Sequence, residues 1–378
     1  MDGNQKNEIL VILPTIRGPD FIKKYIENAK LHNFDLSRIK FMVLTEDHIN
    51  KKQYESVLRE TDLVLNQQDR DKLMREWGVE EYSDIYPKKH RAEESFGLLY
   101  MWMNKELNYG FTIDDDTLPE DNFDFFGQHI KNLNYKGEIS ELSSDKGFVN
   151  VLNHSFNKYG LYPRGYPYGA THEKITEERV TINGEVAISQ GLWSNIPDLD
   201  AVRILFDGDL NGQSKTRFKI TDYAKDNFTI KKGNYTTVCS MNLAFRRDII
   251  PAFYQYKMGE NQWKVDRFDD IWSGIVAKKF IDSKGLRIIN GSPICIHNKA
   301  PRSTFKDLTF EVAGVTANEN FYKIIESVDL TDVKNDFEKI YKIAEKMKTS
   351  ESEHPFVRQC GNDLERWVKV LEKLTVNA

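Results

Sequence analysis

Five consecutive apolar residues, Ile9-Leu10-Val11-Ile12-Leu13, closed by Pro14, constrain the fold of this chain more than any other local feature. A run with no polar face cannot lie on a wet surface, so it reads as a strand buried on both sides. A helical stripe follows at Phe21, Ile22, Tyr25, Ile26 and Ala29, then a second buried strand over 39–44. Strand, helix, strand within about forty residues signals a parallel sheet with crossover helices. The pattern recurs. Phe96, Leu99, Tyr100 and Met103 keep helical spacing, and a strand over 109–113 runs directly into Asp114-Asp115-Asp116.

From about 135 to 235 the pattern weakens among Gly, Tyr, Asn and Asp, which reads as long functional loops with short strands. Regularity returns with a strand over 238–245 and a helix from Asp269, with Ile271, Trp272, Ile275, Val276 and Phe280 inward and Gly285 as its stop. Late strands are expected over 287–289 and 294–296. Beyond 318 two amphipathic stripes appear, one through Phe337, Ile340, Tyr341, Ala344 and Met347, the other through Leu364, Trp367, Val368, Leu371 and Leu374. The organisation expected is an α/β domain over 1–317 and a helical extension over 318–378. That extension could pack on its own domain or join a second copy in a homo-oligomer.

With 378 residues, 40% hydrophobic and 29% charged, the chain has room for one large domain with an appendage. A formal charge of −5 argues against nucleic acid as a partner, since phosphates need a basic face. Lys88-Lys89-His90-Arg91 is a local exception that could hold a few phosphates. Three widely separated cysteines, Cys239, Cys295 and Cys360, suit a reducing, cytoplasmic compartment. The apolar run at the start is too short for a signal peptide, and no stretch reaches the ~20 apolar residues that span a bilayer.

Three adjacent carboxylates at a strand's end raise one another's pKa, and a cation relieves them. Open parallel sheets bind ligands at the carboxyl ends of their strands. Oxygen ligands there suit Mg²⁺ or Mn²⁺ bridging a diphosphate. The plainer alternative is a solvated turn before Pro119. His297, ending Ile294-Cys295-Ile296, is a candidate third ligand beside Asp114 and Asp116, or simply a hydrogen-bonded histidine at a strand end. Lys299 and Arg302 just beyond it, and Arg17 after Pro14-Thr15-Ile16, could hold phosphate oxygens. Asp269-Asp270 open a helix, where capping explains one carboxylate and leaves room for a catalytic one.

Ordered blocks carry a family resemblance: Val11-Ile-Leu-Pro-Thr-Ile-Arg17, Phe111-Thr-Ile-Asp-Asp-Asp116, Gln128-His-Ile-Lys-Asn-Leu133 and Arg164-Gly-Tyr-Pro-Tyr168. Further on stand Gly191-Leu-Trp193 with Asn195-Ile-Pro-Asp198 and Asp200-Ala201, Met241-Asn-Leu-Ala-Phe245, Arg267-Phe-Asp-Asp-Ile-Trp272 and His297-Asn-Lys-Ala300. Over roughly residues 8 to 315 the chain resembles the plant reversibly glycosylated polypeptides, also called UDP-arabinopyranose mutases. The resemblance implies a glycosyltransferase-A-like, Rossmann-like mixed and mainly parallel sheet, a UDP-sugar ligand and a divalent cation, Mn²⁺ or Mg²⁺. It implies interconversion of UDP-arabinopyranose and UDP-arabinofuranose through reversible glycosylation of an arginine, here Arg164.

On this sequence the nucleotide-sugar is expected to meet Pro14, Thr15, Arg17, Asp47, Arg91, Asp114, Asp115, Trp193, Asn242 and Lys299. The metal would meet Asp114, Asp116 and His297. Because a guanidinium has a pKa above about 12, Asp269, Asp270 or Asp200 must orient Arg164 and take its proton. The chain departs from the family at Gly169-Ala-Thr-His172, where plant members carry a second arginine and Arg179 is the nearest substitute. It departs again at Gln190, where they carry histidine. Residues 203–230 also match poorly. Two other activities use the same features: a metal-dependent transferase passing the sugar to a separate acceptor, and a sugar-nucleotide-binding partner subunit without turnover.

Overall fold

The computed structural model describes residues 8–156, 160–223, 226–259, 261–350 and 354–377. Its strands are β1 (Ile9–Pro14), β2 (Ile39–Leu44), β3 (Leu63–Leu65), β4 (Tyr109–Ile113), β5 (Thr117–Pro119), β6 (Lys136–Ser144), β7 (Ile175–Asn183), β8 (Val186–Asn195), β9 (Phe228–Ile230), β10 (Asn242–Arg246) and β11 (Arg287–His297). The helices are α1 (Asp20–Leu31), α2 (Gln67–Glu76), α3 (Glu94–Met103), α4 (Phe125–Leu133), α5 (Val151–Ser155), α6 (Ala201–Asp207), α7 (Asp269–Ser283), α8 (Thr304–Glu326), α9 (Asp336–Thr349) and α10 (Phe356–Asn377).

The strands form one mixed sheet in the order β3-β2-β1-β4-β10-β8-β11-β9-β6-β7, with β5 paired to β11. β1 is parallel to both β2 and β4, and β10 runs antiparallel between β4 and β8. The apolar run of β1 divides as a two-residue period requires. Leu10 and Ile12 enter the core shared with α3 and α7, while Ile9, Val11 and Leu13 enter the one shared with α1 and α4.

Three elements differ from the sequence reading. The strand expected over 238–245 begins only at Asn242, and the two late strands are one, β11. The stretch read as loops holds β8, ten residues long and central in the sheet, and the antiparallel pair β6 and β7. β8 hides because its buried polar residues find partners inside the protein. Ser189 Oγ lies 2.8 Å from His129 Nδ1, and Gln190 donates to Thr237 O at 2.9 Å while accepting from Cys239 N at 3.2 Å. Gln190, the departure from the family's histidine, is therefore a sheet staple.

Residue 318, where the character of the sequence changes, lies inside α8. α9 and α10 turn their apolar stripes onto the main core. Trp367 is sealed against Tyr254, with ring centroids 5.2 Å apart, and donates to Ile250 O at 3.2 Å. Among the described residues no helix is long and apolar enough to cross a membrane.

Candidate active site

β1 and β4 deliver their C-terminal ends to one edge, and the cleft there measures about 670 Å³. Thr15 Oγ1 donates to Asp115 Oδ2 at 2.7 Å, and Arg17 Nη1 lies 3.4 Å from the same carboxylate. Asp115 is thus tied to the end of β1. Asp114 takes Arg91, whose other arm lies 3.0 Å from Glu94. Burial pushes the Asp114 carboxyl well above its ordinary range, Arg91 opposes this, and Asp116 and Glu94 add to the push. Burial likewise pushes Glu94 up to about 7.

Asp116 Oδ2 faces His297 Nε2 at 3.9 Å. His297 Nδ1 is 2.7 Å from Ile196 O. A carbonyl only accepts, so Nδ1 donates to it and Nε2 is the ring nitrogen turned toward Asp116. A carbonyl behind the ring is the usual support for a metal-ligating histidine. Among the described residues no three His, Cys, Asp or Glu side chains are gathered closely enough to hold an ion as they stand. Asp116 and His297 face each other at a separation too long for a hydrogen bond, which leaves an oxygen and a nitrogen donor open to a divalent cation, while Asp114 is engaged by Arg91.

The opposite wall centres on Arg164, only 8% exposed. Its Nε and Nη2 both reach Asp198 Oδ2 at 3.0 Å, while Nη1 donates to Arg267 O and lies 3.5 Å from Asp270 Oδ1. Burial alone would lower the guanidinium pKa, but Asp198 and Asp270 hold it well above its ordinary value. Burial alone would likewise raise Asp198, yet Arg164, His297 and Lys299 keep it strongly depressed. Asp269 is pushed up by burial, with Asp270 adding to the shift. Lys299 is 8% exposed, and its Nζ has no hydrogen-bond acceptor among the described residues. Burial lowers its pKa. At the rim, His90 Nε2 lies 2.9 Å from Asp266 Oδ1. Although burial works against it, the Asp266 bond raises His90 to about 8.

Of the residues singled out from sequence, Pro14, Thr15, Arg17, Arg91, Asp114, Asp115, Asp116, Arg164, Asp269, Asp270, His297, Lys299 and Arg302 meet in this one cleft. Four others do not line it. Trp193, on β8, is sealed in a buried apolar cluster. Asn242 is fully buried, donating to Leu192 O and Pro293 O at 2.8 and 2.9 Å and lying 2.9 Å from His129. Asp200 caps α6, accepting from Arg203 N at 3.0 Å and Tyr168 Oη at 2.8 Å. Asp47 accepts from Gln68 N at 3.3 Å. Arg179, the suggested substitute for the second arginine, lies on β7 beside a different cavity. Sequence reasoning gave no role to Asp198, Asp266, Arg267 and Glu94, and read His90 only as part of a basic cluster. Asp198 stood within a quoted block, but nothing in its spacing marks an acid for burial.

A parallel β3-β2-β1-β4 half-sheet, a reversed β10 beside it and an acidic triplet ending β4 define a glycosyltransferase-A-like protein. The family model described as reversibly glycosylated polypeptide matches residues 5–376, and the chain belongs to that family. It is 28% identical to probable UDP-arabinopyranose mutase 2 of Solanum tuberosum, covering 98% of this chain and 91% of that one. It is 29% identical to UDP-arabinopyranose mutase 1 of Arabidopsis thaliana, covering 86% and 81%. The family match takes in α9 and α10, beyond the reach of the motif blocks. Among solved structures, the mannosyltransferase PcManGT from Pyrobaculum calidifontis in complex with GDP-Man and Mn²⁺ aligns at 9% identity and a TM-score of 0.34, over 97% of this chain and 86% of that one. S. aureus TarS 1-349 aligns at 10% identity and 0.27, over 97% and 90%.

Proposed function

We propose that this chain is a UDP-sugar mutase that interconverts the pyranose and furanose forms of a nucleotide pentose, as in UDP-arabinopyranose, with Arg164 as the transient sugar carrier. The observation that carries this reading is Arg164 itself, buried, clasped by Asp198 and sharing one cleft with the aspartate triplet. Family membership and the names of the relatives support the substrate class.

Thr15 and Arg17 hold the nucleotide end against Asp115, while Arg91 and Lys299 face the diphosphate. A buried ammonium without an acceptor is costly, and a phosphate oxygen satisfies it. Asp114, Asp116 and His297 would hold the divalent cation, Mn²⁺ or Mg²⁺, which when bound draws charge from the diphosphate and makes UDP a better leaving group. Arg164 Nη1 forms a bond to the anomeric carbon as the bond from that carbon to the β-phosphate oxygen breaks, and Asp270, 3.5 Å away, takes the guanidinium proton. Asp198 is too weak a base for that role and orients the guanidinium instead. The guanidine nitrogen then expels the ring oxygen, which takes a proton from Asp269. The chain hydroxyl that closes the five-membered ring returns that proton to Asp269. UDP displaces the arginine, and Asp270 gives its proton back. Buried free thiols at Cys239, Cys295 and Cys360 suit a reducing, cytoplasmic setting for this activity.

Incubation with a panel of UDP-sugars and Mn²⁺, with no acceptor added, tests this reading. It predicts a pyranose–furanose equilibrium for one nucleotide pentose. Slow hydrolysis alone would point to a transferase, and binding without turnover would point to a partner subunit. Either result sinks the mutase.

A further inference from the structure

The sheet edge opposite the cleft holds a second concavity, of about 940 Å³, reached by the start of β4 and the end of β10. Arg246 pairs with Tyr109 there, while Asn242 pairs with Ile113 at the cleft end. The two ends are therefore about 13 Å apart along the strands. Lys105, Arg246, Arg247, Lys284, Lys334 and Lys339 line the concavity against only Asp248 and Asp336. In a chain of formal charge −5 this is a local reversal of sign.

Part of that charge is structural. Arg247 donates to Met101 O at 3.2 Å and to Trp102 O, closing the last carbonyls of α3. Arg246 donates to Val186 O and Leu133 O, both at 2.7 Å. Lys284 and Lys339 share Asp336 at 2.6 and 3.4 Å. Four cationic ends remain. Among the described residues the Nη1 groups of Arg246 and Arg247 have no acceptor, and exposed Lys105 and Lys334 have no hydrogen bond or ion pair. Because backbone carbonyls anchor both guanidinium groups, their remaining arms are fixed in place, so little ordering entropy is lost on binding. Arginine forks match the oxygens of phosphate, and four cations ask for more than one negative charge.

We infer that this groove is a second anion site, taking a compact phosphorylated molecule with at least two negative charges. Titration of the full chain with inorganic diphosphate by calorimetry, without divalent metal, tests it. The parent is expected to bind at two sites. K105E/K334E should lose one of them, weakened at least ten-fold, while the cleft variant R17A/K299A should keep it. Lys105 and Lys334 support no other side chain, and a circular dichroism melt checks the fold, with K105Q/K334Q as a milder pair. A K105E/K334E isotherm that superimposes on the parent's overturns the site. So does a parent with one site that disappears in the cleft variant.

Discussion

Arg164 carries a charge into a wall where water scarcely reaches, and its surroundings divide the labour between two acids. Asp198 holds Nε and Nη2 and is itself strongly acidified, so it is a clamp, whereas Asp270 stands at Nη1, where the proposed mechanism has it take a proton. Asp270→Asn should lower turnover by about 10²–10⁴-fold while leaving UDP affinity near the parent's, measured by steady-state kinetics and calorimetry. Equal losses in binding and turnover would reassign Asp270 to substrate holding. His90 makes a different prediction. Its pKa is raised to about 8 by the Asp266 bond, against an ordinary 6.5. The stability it adds is therefore fully present below about pH 6.5 and lost as pH rises through 8, worth about 2 kcal/mol. Urea unfolding of the parent and of His90→Gln should differ most at pH 6 and converge by pH 9, and a gap that is constant with pH would contradict this. The aspartate triplet was legible in the sequence because it follows an apolar strand. Asp198 and Asp266 were not, since an acid selected by a buried arginine or histidine far along the chain leaves no local period.

The elements bring these residues together through a few close approaches. Gly165 sits at φ 81°, and a Cβ there would lie 2.5 Å from Ile271 Cδ1, one residue beyond Asp270. The arginine turn and the start of α7 are thus packed with no room for a methyl group, and the backbone favours glycine independently. Gly165→Ala should cost about 1–3 kcal/mol in denaturant unfolding and should weaken turnover more than nucleotide binding, because the turn moves away from α7. An unchanged midpoint with full activity would show that the turn is looser than its geometry. At this scale the apolar strands β1, β2 and β4 and helix α7 could be read directly from periodicity. β8 could not, because Ser189 and Gln190 break its apolar run while their partners, His129 and Thr237, lie far away in sequence. Apolar packing keeps Trp193 off the cleft, and tertiary hydrogen bonds keep Asn242 and Asp200 off it.

In the whole molecule, the C-terminal helices belong to the core. Trp272 of α7 stacks on Phe321 of α8 at 4.3 Å, and Trp367 of α10 seals Tyr254. Trp367→Ala should therefore cost about 3–5 kcal/mol in urea, a loss expected for a core residue and absent from a dangling appendage. A loss under 1 kcal/mol would show that the extension is dispensable to the domain. The amphipathic stripes were plain in the sequence, but which surface they cover depends on packing between distant elements, which spacing does not encode. The cleft they help to support is where the account stands or falls. With radiolabelled UDP-pentose and Mn²⁺, label should accumulate covalently on the peptide containing Arg164, leave when unlabelled UDP is added, and vanish in Arg164→Ala together with pyranose–furanose exchange. Label or exchange that persists unchanged in Arg164→Ala would contradict the account.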